Sequence, residues 1–272
     1  MTALELIDGW PAGARAAAVL VDGEIVADRG DVEAVLPWAS VTKLATALAV
    51  LVAVAQGRLG LDDPAGPPGA TVRHLLAHAS GLEFDQPIAR TGPATKRIYS
   101  NSGYEALASA VASRVGQGFD GWLHDAVLDP LALSSTRLDG SPASGLVGPV
   151  ADLVGLAAEL QRPTLLPEDL AAGLRTVAVP GLAGVLPGFG WQAPNDWALG
   201  PEIRGQKAPH WTGRSGSAAT FGHFGAAGGF LWVDPEAGVA CCCLTGTPFG
   251  PWATEAWPVL SDRVLEEHRR SA

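Results

Sequence analysis

Length, composition and charge together limit what this chain can be. It has 272 residues, 47% of them hydrophobic and 17% charged, which is typical of a globular protein with a sizeable core and unlike a disordered chain. Its formal net charge of −10, with no basic run, excludes a phosphate-binding surface for nucleic acid. We therefore expect small molecules or other proteins as partners.

Neither a secretory leader nor a membrane span is predicted. The first residues lack the basic and apolar regions of a signal peptide. The longest apolar stretch, 44–55, has 12 residues and contains Thr46, whereas a membrane helix needs about 20 residues. We expect a cytoplasmic protein without a membrane partner.

The first predicted elements are two short strands within residues 16–30, joined by Asp22 and Gly23. This dipeptide favours the tight turn of a β-hairpin. An apolar stretch then predicts a helix from about Ser40 to Gln56. Since that helix is apolar on nearly every face, it should be central and buried on all sides.

The middle of the chain reads as a series of helices separated by turns. Residues 61–184 contain several helical patterns between Pro- and Gly-rich turns. No internal repeat, low-complexity segment or linker is evident there. We therefore expect a mostly helical insertion within one domain rather than a separate domain.

The last part of the chain, from about residue 185, predicts a second hairpin and a final helix. "GGFLWVD" and "VACCCLTG" have the composition of two strands joined by a turn. The three adjacent cysteines are interpreted as buried strand thiols, because a metal site needs spaced ligands. The closing helix, "WPVLSDRVLEEHRR", should have Pro258 near its start and arginines in its last turn.

Hairpins at both ends with helices between them predict an α/β (α+β) fold. One antiparallel sheet would be built from both termini and flanked by helices. We expect a single catalytic domain in which 1–60 and 185–272 form the α/β part and 61–184 form the mostly helical subdomain. No metal or other cofactor is expected.

Ser40 and Lys43 are the first candidate catalytic pair. Three residues apart on a helix, they share one face, and the helix start places free N–H groups around the serine. A lysine surrounded by apolar helix would have a lowered pKa and could act as the base that a serine nucleophile needs. The alternative is a serine helix cap followed by an exposed lysine, and the pair by itself is a weak signal.

A second candidate group is Tyr99 and Asn101 in "RIYSNSGY". In an extended or turn segment these two side chains point to the same side, so a phenol and a carboxamide could face one cavity. A third is "HFG", which leads through two glycines into a strand and would let backbone N–H groups approach a ligand. Its residues are His223, Phe224 and Gly225.

The three motifs "SVTK", "YSN" and "HFG", in this order, resemble those of the serine β-lactamase and penicillin-recognising enzyme superfamily. The chain is most similar to the branch with class C β-lactamases, D-Ala-D-Ala carboxypeptidases and related esterases, and "HLLAHASGL" supports that branch. The resemblance covers essentially the whole chain. It implies a sheet flanked by helices, a helical subdomain, and a site between them.

The resemblance also implies a role for each motif residue. Ser40 would be the acylated nucleophile, Lys43 its base, and Tyr99 the phenol that relays protons. Asn101 would orient the lysine and bind a substrate amide or ester. The remaining substrate-binding positions would be the third-motif residues and the one that follows them, whose N–H would complete an oxyanion hole with that of Ser40: His223, Phe224, Gly225 and Ala226.

Phe224 departs from the family pattern and favours one substrate class. A phenyl ring replaces the hydroxyl residue that helps lactamases and carboxypeptidases hold a substrate carboxylate, and it disfavours a buried anion. Arg214 could supply a cation instead. We therefore expect an esterase acting on small neutral acyl substrates. The alternatives are a β-lactamase or D-amino-acid carboxypeptidase or aminopeptidase with the same mechanism, and an inactive relative that only binds a ligand.

Other candidates have simpler interpretations. His74 and His78 have the spacing of metal ligands, but no metalloprotease motif surrounds them, so we expect packing or helix-end roles. Three tryptophans precede the third motif, at 191, 197 and 211. Tryptophans belong mostly to the core, and one or two of these could form a wall of the acyl pocket.

Overall fold

The computed structural model describes residues 2–11 and 13–269. Its strands are β1 (Arg15–Val21), β2 (Glu24–Gly30), β3 (Leu36–Pro37), β4 (Arg137–Leu138), β5 (Leu146–Gly148), β6 (Gly184–Leu186), β7 (Gly190–Gln192), β8 (Glu202–Ile203), β9 (Phe221–Phe224), β10 (Phe230–Asp234) and β11 (Val239–Thr245). Its α-helices are α1 (Thr42–Ala55), α2 (Val72–Leu76), α3 (Asn101–Val115), α4 (Phe119–Leu123), α5 (Val150–Gln161), α6 (Glu168–Ala172) and α7 (Pro251–His268). Short 3-10 helices span Ala3–Gly9 and Ala39–Val41, and a π-helical turn spans His124–Leu128.

The main sheet has six antiparallel strands in the order β2-β1-β11-β10-β9-β8. The predicted first hairpin is confirmed, and its two turn residues, Asp22 and Gly23, have the positive φ angles (52° and 85°) of a type I′ turn. The predicted β10–β11 hairpin is confirmed as well. Because β1 pairs with β11, the sheet is built from both ends of the chain, as expected.

Both faces of the sheet are buried along β1, β9, β10 and β11, each face against a different set of helices, whereas the edge strand β2 is largely exposed. Along β1, alternate side chains enter opposite cores, as the two-residue period of a strand requires. One core holds α1 and α5, and the other holds α7 and the Ala3–Gly9 helix. The predicted burial of the cysteine thiols in β11 is confirmed, and all three are free.

Helix α1 is the centre of the larger core. Its residues from Thr42 to Ala53 are buried on every face, which confirms the sequence prediction. The helix begins slightly later than predicted, since Ser40 lies in the 3-10 turn that precedes it. No helix in the described residues is long and apolar enough to cross a membrane.

Two features of the remaining helices differ from the sequence prediction. Helix α5 lies within the predicted insertion, 61–184, but packs on β1, β10 and β11 of the main sheet. Helix α7 begins at Pro251, so Pro258 lies inside it rather than near its start. A proline at an interior position cannot donate the usual backbone hydrogen bond, and burial of one face of α7 against the sheet compensates for that loss.

Candidate active site

Ser40 is held at the entrance to α1 by a strained and well-anchored turn. The preceding residue, Ala39, has a φ of 46°, in the left-handed region that costs energy for a residue with a side chain. Trp38 anchors the turn, because its backbone N–H donates to Leu146 O (2.9 Å) and its indole donates to Gly148 O (3.2 Å). Such strain in a fixed turn is characteristic of functional sites.

Lys43 is fully buried and points at the serine. Its Nζ donates to Asn101 Oδ1 (2.6 Å) and to Ala143 O (2.9 Å), and it lies 3.4 Å from Ser40 Oγ. Burial lowers its pKa to about 7, against the carboxylates of Asp85 and Glu105, which raise it. At neutral pH a large fraction of the amine is therefore unprotonated, with a lone pair free to accept a proton.

Tyr99 faces the same lysine from the other side. Its ring centroid is 4.8 Å from Lys43 Nζ, so Tyr99 and Asn101 both contact this amine. Of the two, only Tyr99 lines the pocket at Ser40. Burial raises the pKa of the phenol well above its usual value, while its contact with Ser40 opposes that shift. The hydroxyl thus stays protonated near neutral pH and lies 3.5 Å from His223 Nε2.

His223 is buried on β9 as a neutral imidazole. Burial, reinforced by Lys43, lowers its pKa to about 3. Its Nδ1 lies 2.7 Å from Phe224 O, which assigns the ring proton to Nδ1 and leaves Nε2 as an acceptor facing Tyr99. This position therefore contributes a hydrogen-bond acceptor and no positive charge.

Gly225 brings the end of β9 against the nucleophile. A β-carbon at this position would lie 2.4 Å from Trp38 O and 3.2 Å from Ser40 N, so only glycine allows the two segments to come this close. The next residue, Ala226, lines the same pocket as Ser40. In the part of the chain that the structure describes, neither the Ser40 N–H nor the Ala226 N–H donates a backbone hydrogen bond elsewhere.

Ser40 opens into a small pocket with a cavity volume of about 120 Å³. Apart from Ser40, Tyr99 and His223, its walls are apolar, and no lysine or arginine of the described residues lines it. Phe224 forms part of the wall and packs its ring on Phe249, 5.1 Å between centroids. The lining residues are Ser40, Phe84, Tyr99, Leu186, Pro187, Trp197, His223, Phe224, Ala226 and Phe249.

Several other sequence candidates lie elsewhere. Arg214 is exposed and lines a separate groove beside α7, so it is not among the residues that line the Ser40 pocket. Of the three tryptophans, Trp197 lines the pocket, Trp211 packs behind Phe224 at 5.6 Å, and Trp191 is 57% exposed.

The two histidines with metal-like spacing do not form a pair. His74 hydrogen-bonds with Thr71 at the start of α2, and α2 ends at Leu76, before His78. His78 is buried against Tyr99, with 4.6 Å between ring centroids, and its Nδ1 accepts from the Ser100 N–H at 3.1 Å. Packing and helix-end roles are the ones predicted for them.

The sequence analysis missed three contributors to the site. Asp85 contacts Asn101, the Ala143 carbonyl accepts from Lys43, and Phe84 stacks on Tyr99 with 5.8 Å between centroids. A backbone carbonyl carries no side-chain signal in a sequence. Asp85 and Phe84 belong to an exposed loop whose position depends on the folded chain, so no local pattern could have identified them.

Comparisons with known proteins are consistent with this geometry. The model of the beta-lactamase family matches residues 11–260. A crystal structure described as a beta-lactamase from Mycobacterium bovis is 50% identical, with a TM-score of 0.97 over 99% of this chain and 100% of that one. The predicted fold, a β-lactamase/transpeptidase-like sheet with helices, is therefore confirmed.

More distant relatives are similar over different lengths. EstCE1, described as a hydrolase with promiscuous acyltransferase activity, shares the fold with a TM-score of 0.79 at 17% identity, over 97% of this chain and 96% of that one. The Escherichia coli (strain K12) D-alanyl-D-alanine-carboxypeptidase/endopeptidase AmpH is 26% identical over 151 residues. That match covers 42% of this chain and only 39% of AmpH.

Proposed function

The chain belongs to the beta-lactamase family, and on that premise we propose that it is a serine hydrolase that forms an acyl-enzyme on Ser40 and acts on small neutral esters. The observation that carries the proposal is the buried Lys43, whose pKa of about 7 and 3.4 Å distance from Ser40 Oγ suit it to be a base. A serine oxygen becomes a competent nucleophile when such a base takes its proton.

In the acylation step, Ser40 Oγ attacks the ester carbonyl carbon while its proton moves to the neutral Lys43 amine. The carbonyl oxygen becomes negative and accepts hydrogen bonds from the N–H groups of Ser40 and Ala226. These donors stabilise the negative charge that develops on the oxygen in the transition state. The carbon–oxygen bond to the alcohol then breaks. Tyr99 gives its proton to the departing oxygen and recovers one from the Lys43 ammonium.

In the deacylation step, water attacks the acyl carbon and its proton passes to the Lys43–Tyr99 pair. The bond from the carbon to Ser40 Oγ breaks, the serine recovers a proton, and the carboxylic acid leaves. Tyr99 serves as a relay in both steps because its raised pKa keeps it protonated at rest. His223 Nε2 accepts from the Tyr99 hydroxyl and orients it.

The apolar lining and the small volume of the pocket favour substrates with short, neutral acyl groups. Burying a carboxylate without a charged or hydrogen-bonding partner is strongly unfavourable, and the lining offers Phe224 where a hydroxyl would help to hold one. A cavity of about 120 Å³ has room for a chain of a few carbons, since each methylene occupies tens of Å³. Acetate and butyrate esters fit these limits.

The alternative substrates within the same mechanism are β-lactams and D-amino-acid peptides. The similarity to a structure described as a beta-lactamase and to a carboxypeptidase supports that alternative. Against it stands the pocket, because typical β-lactams and D-Ala-D-Ala peptides carry a carboxylate and Arg214 lines another groove. The alternative of another class is an inactive relative that binds a ligand without turnover.

Two measurements test the proposal. First, a fluorophosphonate probe should label the wild-type protein on Ser40, identified by peptide mapping; absence of labelling supports the inactive relative. Second, kcat/KM is compared for p-nitrophenyl acetate, p-nitrophenyl butyrate, nitrocefin and a D-Ala-D-Ala peptide. The proposal expects clear turnover of the two esters, and better turnover of nitrocefin or the peptide would refute the esterase assignment.

A further inference from the structure

The Asn101 carboxamide is held between a cation and a carboxylate. Its Oδ1 accepts from Lys43 Nζ at 2.6 Å, and its Nδ2 donates to Asp85 Oδ1 at 2.8 Å. A carboxylate can only accept hydrogen bonds, so it selects the N–H side of the amide. The amide oxygen is thereby directed toward Lys43.

This orientation matters most when Lys43 is unprotonated. A neutral amine has one lone pair, and the base function in the proposed mechanism depends on that lone pair facing Ser40. If the Asn101 amide rotated by half a turn, its N–H could donate to the lone pair and occupy it. A charged lysine resists this rotation by itself, but a neutral one does not.

Building on the proposed function, we propose that Asp85 is a positioning residue that locks the Asn101 amide with its oxygen toward Lys43, which keeps the lysine lone pair available to Ser40. Asp85 is not among the residues that line the Ser40 pocket. It acts through Asn101.

The loop that carries Asp85 is tied to the start of α3. The carbonyl of Phe84 accepts from the backbone N–H groups of Asn101 (2.7 Å) and Ser102 (3.1 Å), and the Ser100 hydroxyl donates to Glu83 O (2.5 Å). The Asp85 backbone is therefore fixed relative to Asn101, although Asp85 is exposed to solvent. Its substitution should leave the core intact.

The charges around Lys43 allow the positioning effect to be separated from a simple charge effect. Asp85 and Glu105 both raise the pKa of Lys43, against burial, which lowers it. Glu105 lies on α3 and hydrogen-bonds with Ser141, not with Asn101. The other titratable groups that face Lys43 are neutral near pH 7, because burial lowers the histidine pKa values and raises the tyrosine ones: His78, Tyr99, Tyr104 and His223.

Three variants test whether Asp85 acts through its hydrogen bond to Asn101 or only through its charge, which Glu105 shares. Asp85→Ala removes both the acceptor and the charge, Asp85→Asn keeps an acceptor oxygen but removes the charge, and Glu105→Gln removes a charge only. Each removal of a negative charge should lower the pKa of Lys43, because its ammonium form loses stabilisation. In a plot of kcat/KM against pH, the rising limb should therefore shift to lower pH. Only Asp85→Ala should also lower kcat on the high-pH plateau, by about tenfold, the value of one charge-assisted hydrogen bond.

The experiment measures kcat and KM for p-nitrophenyl butyrate from pH 5 to about pH 9 for the wild type and the three variants, with thermal melting as a folding control. A plateau kcat for Asp85→Ala within twofold of wild type overturns the proposal. So does an Asp85→Asn variant as impaired as Asp85→Ala, since charge alone would then explain the loss.

A readout independent of turnover separates this proposal from the proposed function. In ¹⁵N-edited NMR, one Asn101 Nδ2 proton should carry the downfield shift of a hydrogen bond to a carboxylate, and Asp85→Ala should abolish it while Glu105→Gln leaves it in place. If the wild type hydrolyses no ester, the proposed function fails and this measurement still decides the role of Asp85. An Asn101 signal unchanged in Asp85→Ala would contradict the lock.

Discussion

Two of the chain's three lysines are almost completely buried, and their surroundings differ in one respect. Lys207 Nζ lies 2.8 Å from the buried carboxylate of Glu202. Lys43 Nζ has two close neutral acceptors, the Asn101 amide and the Ala143 carbonyl, and no carboxylate of the described residues forms an ion pair with it. The same residue type is thus buried once with a counter-charge and once without.

The difference supports the proposed role of Lys43 as a base and a structural role for Lys207. Burial raises the pKa of Glu202, but Lys207 and His210 outweigh it and hold that pKa at about 2, so the carboxylate stays charged. Burial also lowers the pKa of Lys207, and the Glu202 carboxylate opposes that shift. Burial lowers the pKa of Lys43 to about 7 with only distant carboxylates to oppose it. A buried amine without a counter-ion can lose its proton near neutral pH, which is the requirement for a general base.

The largest expected effect is at Ser40, the proposed nucleophile next to Lys43. Ser40→Ala should lower kcat for p-nitrophenyl butyrate by at least ~10⁴-fold, because the acyl-enzyme cannot form. Thermal melting should be unchanged, since Ser40 contributes no core packing. Residual activity of a few per cent in a preparation free of wild-type enzyme would show that another residue is acylated.

Breaking the charged pair should affect stability instead of chemistry. Lys207→Met leaves Glu202 buried without its closest cation, and the free energy of unfolding should fall by about 3–5 kcal/mol, measured by urea denaturation. Lys96→Met is the matched control, because Lys96 lies on the Trp191 ring, 5.0 Å from its centroid, and such contacts contribute about 0.5–1 kcal/mol. Equal losses of unfolding free energy in the two variants would show that the buried pair with Glu202 contributes no more to stability than Lys96 does.

Lys43→Met should show the opposite pattern. We expect kcat to fall by ~10²-fold or more, the scale of general acid–base catalysis, with no loss of stability comparable to that of Lys207→Met. Tyr99→Phe should lower kcat to a similar extent. In the double variant the losses should be far from additive, because both residues serve one proton relay; additive losses would indicate independent roles.

The pH dependence follows from the sign of the Lys43 shift. The base must be unprotonated, and its pKa is lowered to about 7, so kcat/KM should rise about tenfold per pH unit below pH 7 and level off above it. His223, with a pKa of about 3, should not contribute in this range. A profile that is flat between pH 5.5 and about pH 8 would argue against Lys43 as the base.

The smallest expected effect concerns substrate class. Phe224→Thr introduces a hydroxyl at the pocket wall, and the ratio of kcat/KM for nitrocefin to that for p-nitrophenyl butyrate should rise about tenfold. Phe249→Thr is the matched control, since it adds a hydroxyl to the same pocket at another position. A similar rise in both variants would show that pocket size, not the third-motif hydroxyl, sets the ratio.

Much of the architecture was predictable because its signals are local. The Asp22-Gly23 turn, the strands around the cysteines and the all-apolar α1 each depend on residues a few positions apart. The positions where helices begin and end were less predictable. Pro258 reads as a helix start, but the helix continues through it because tertiary packing of α7 against the sheet outweighs one lost hydrogen bond.

The candidate site likewise has features that local spacing predicted and features that only the folded chain shows. The spacing of Ser40 and Lys43, and of Tyr99 and Asn101, predicted which side chains share a face, and the structure brings all four together. The choice of Trp197 over Trp191 as a pocket wall was open in the sequence. Both are tryptophans near the third motif, and only the path of the chain distinguishes them.

By itself the sequence determined the order of motifs, the turn chemistry and the helix that carries Lys43, because these depend on neighbours along the chain. Only the tertiary structure decided that Lys43 meets a carbonyl from residue 143 and an amide held by Asp85, and that no cation lines the pocket in the described residues. The lowered pKa of Lys43, on which its proposed role as a base rests, depends on its desolvation and on the absence of a close counter-charge. Both are properties of long-range packing, which residue spacing does not encode.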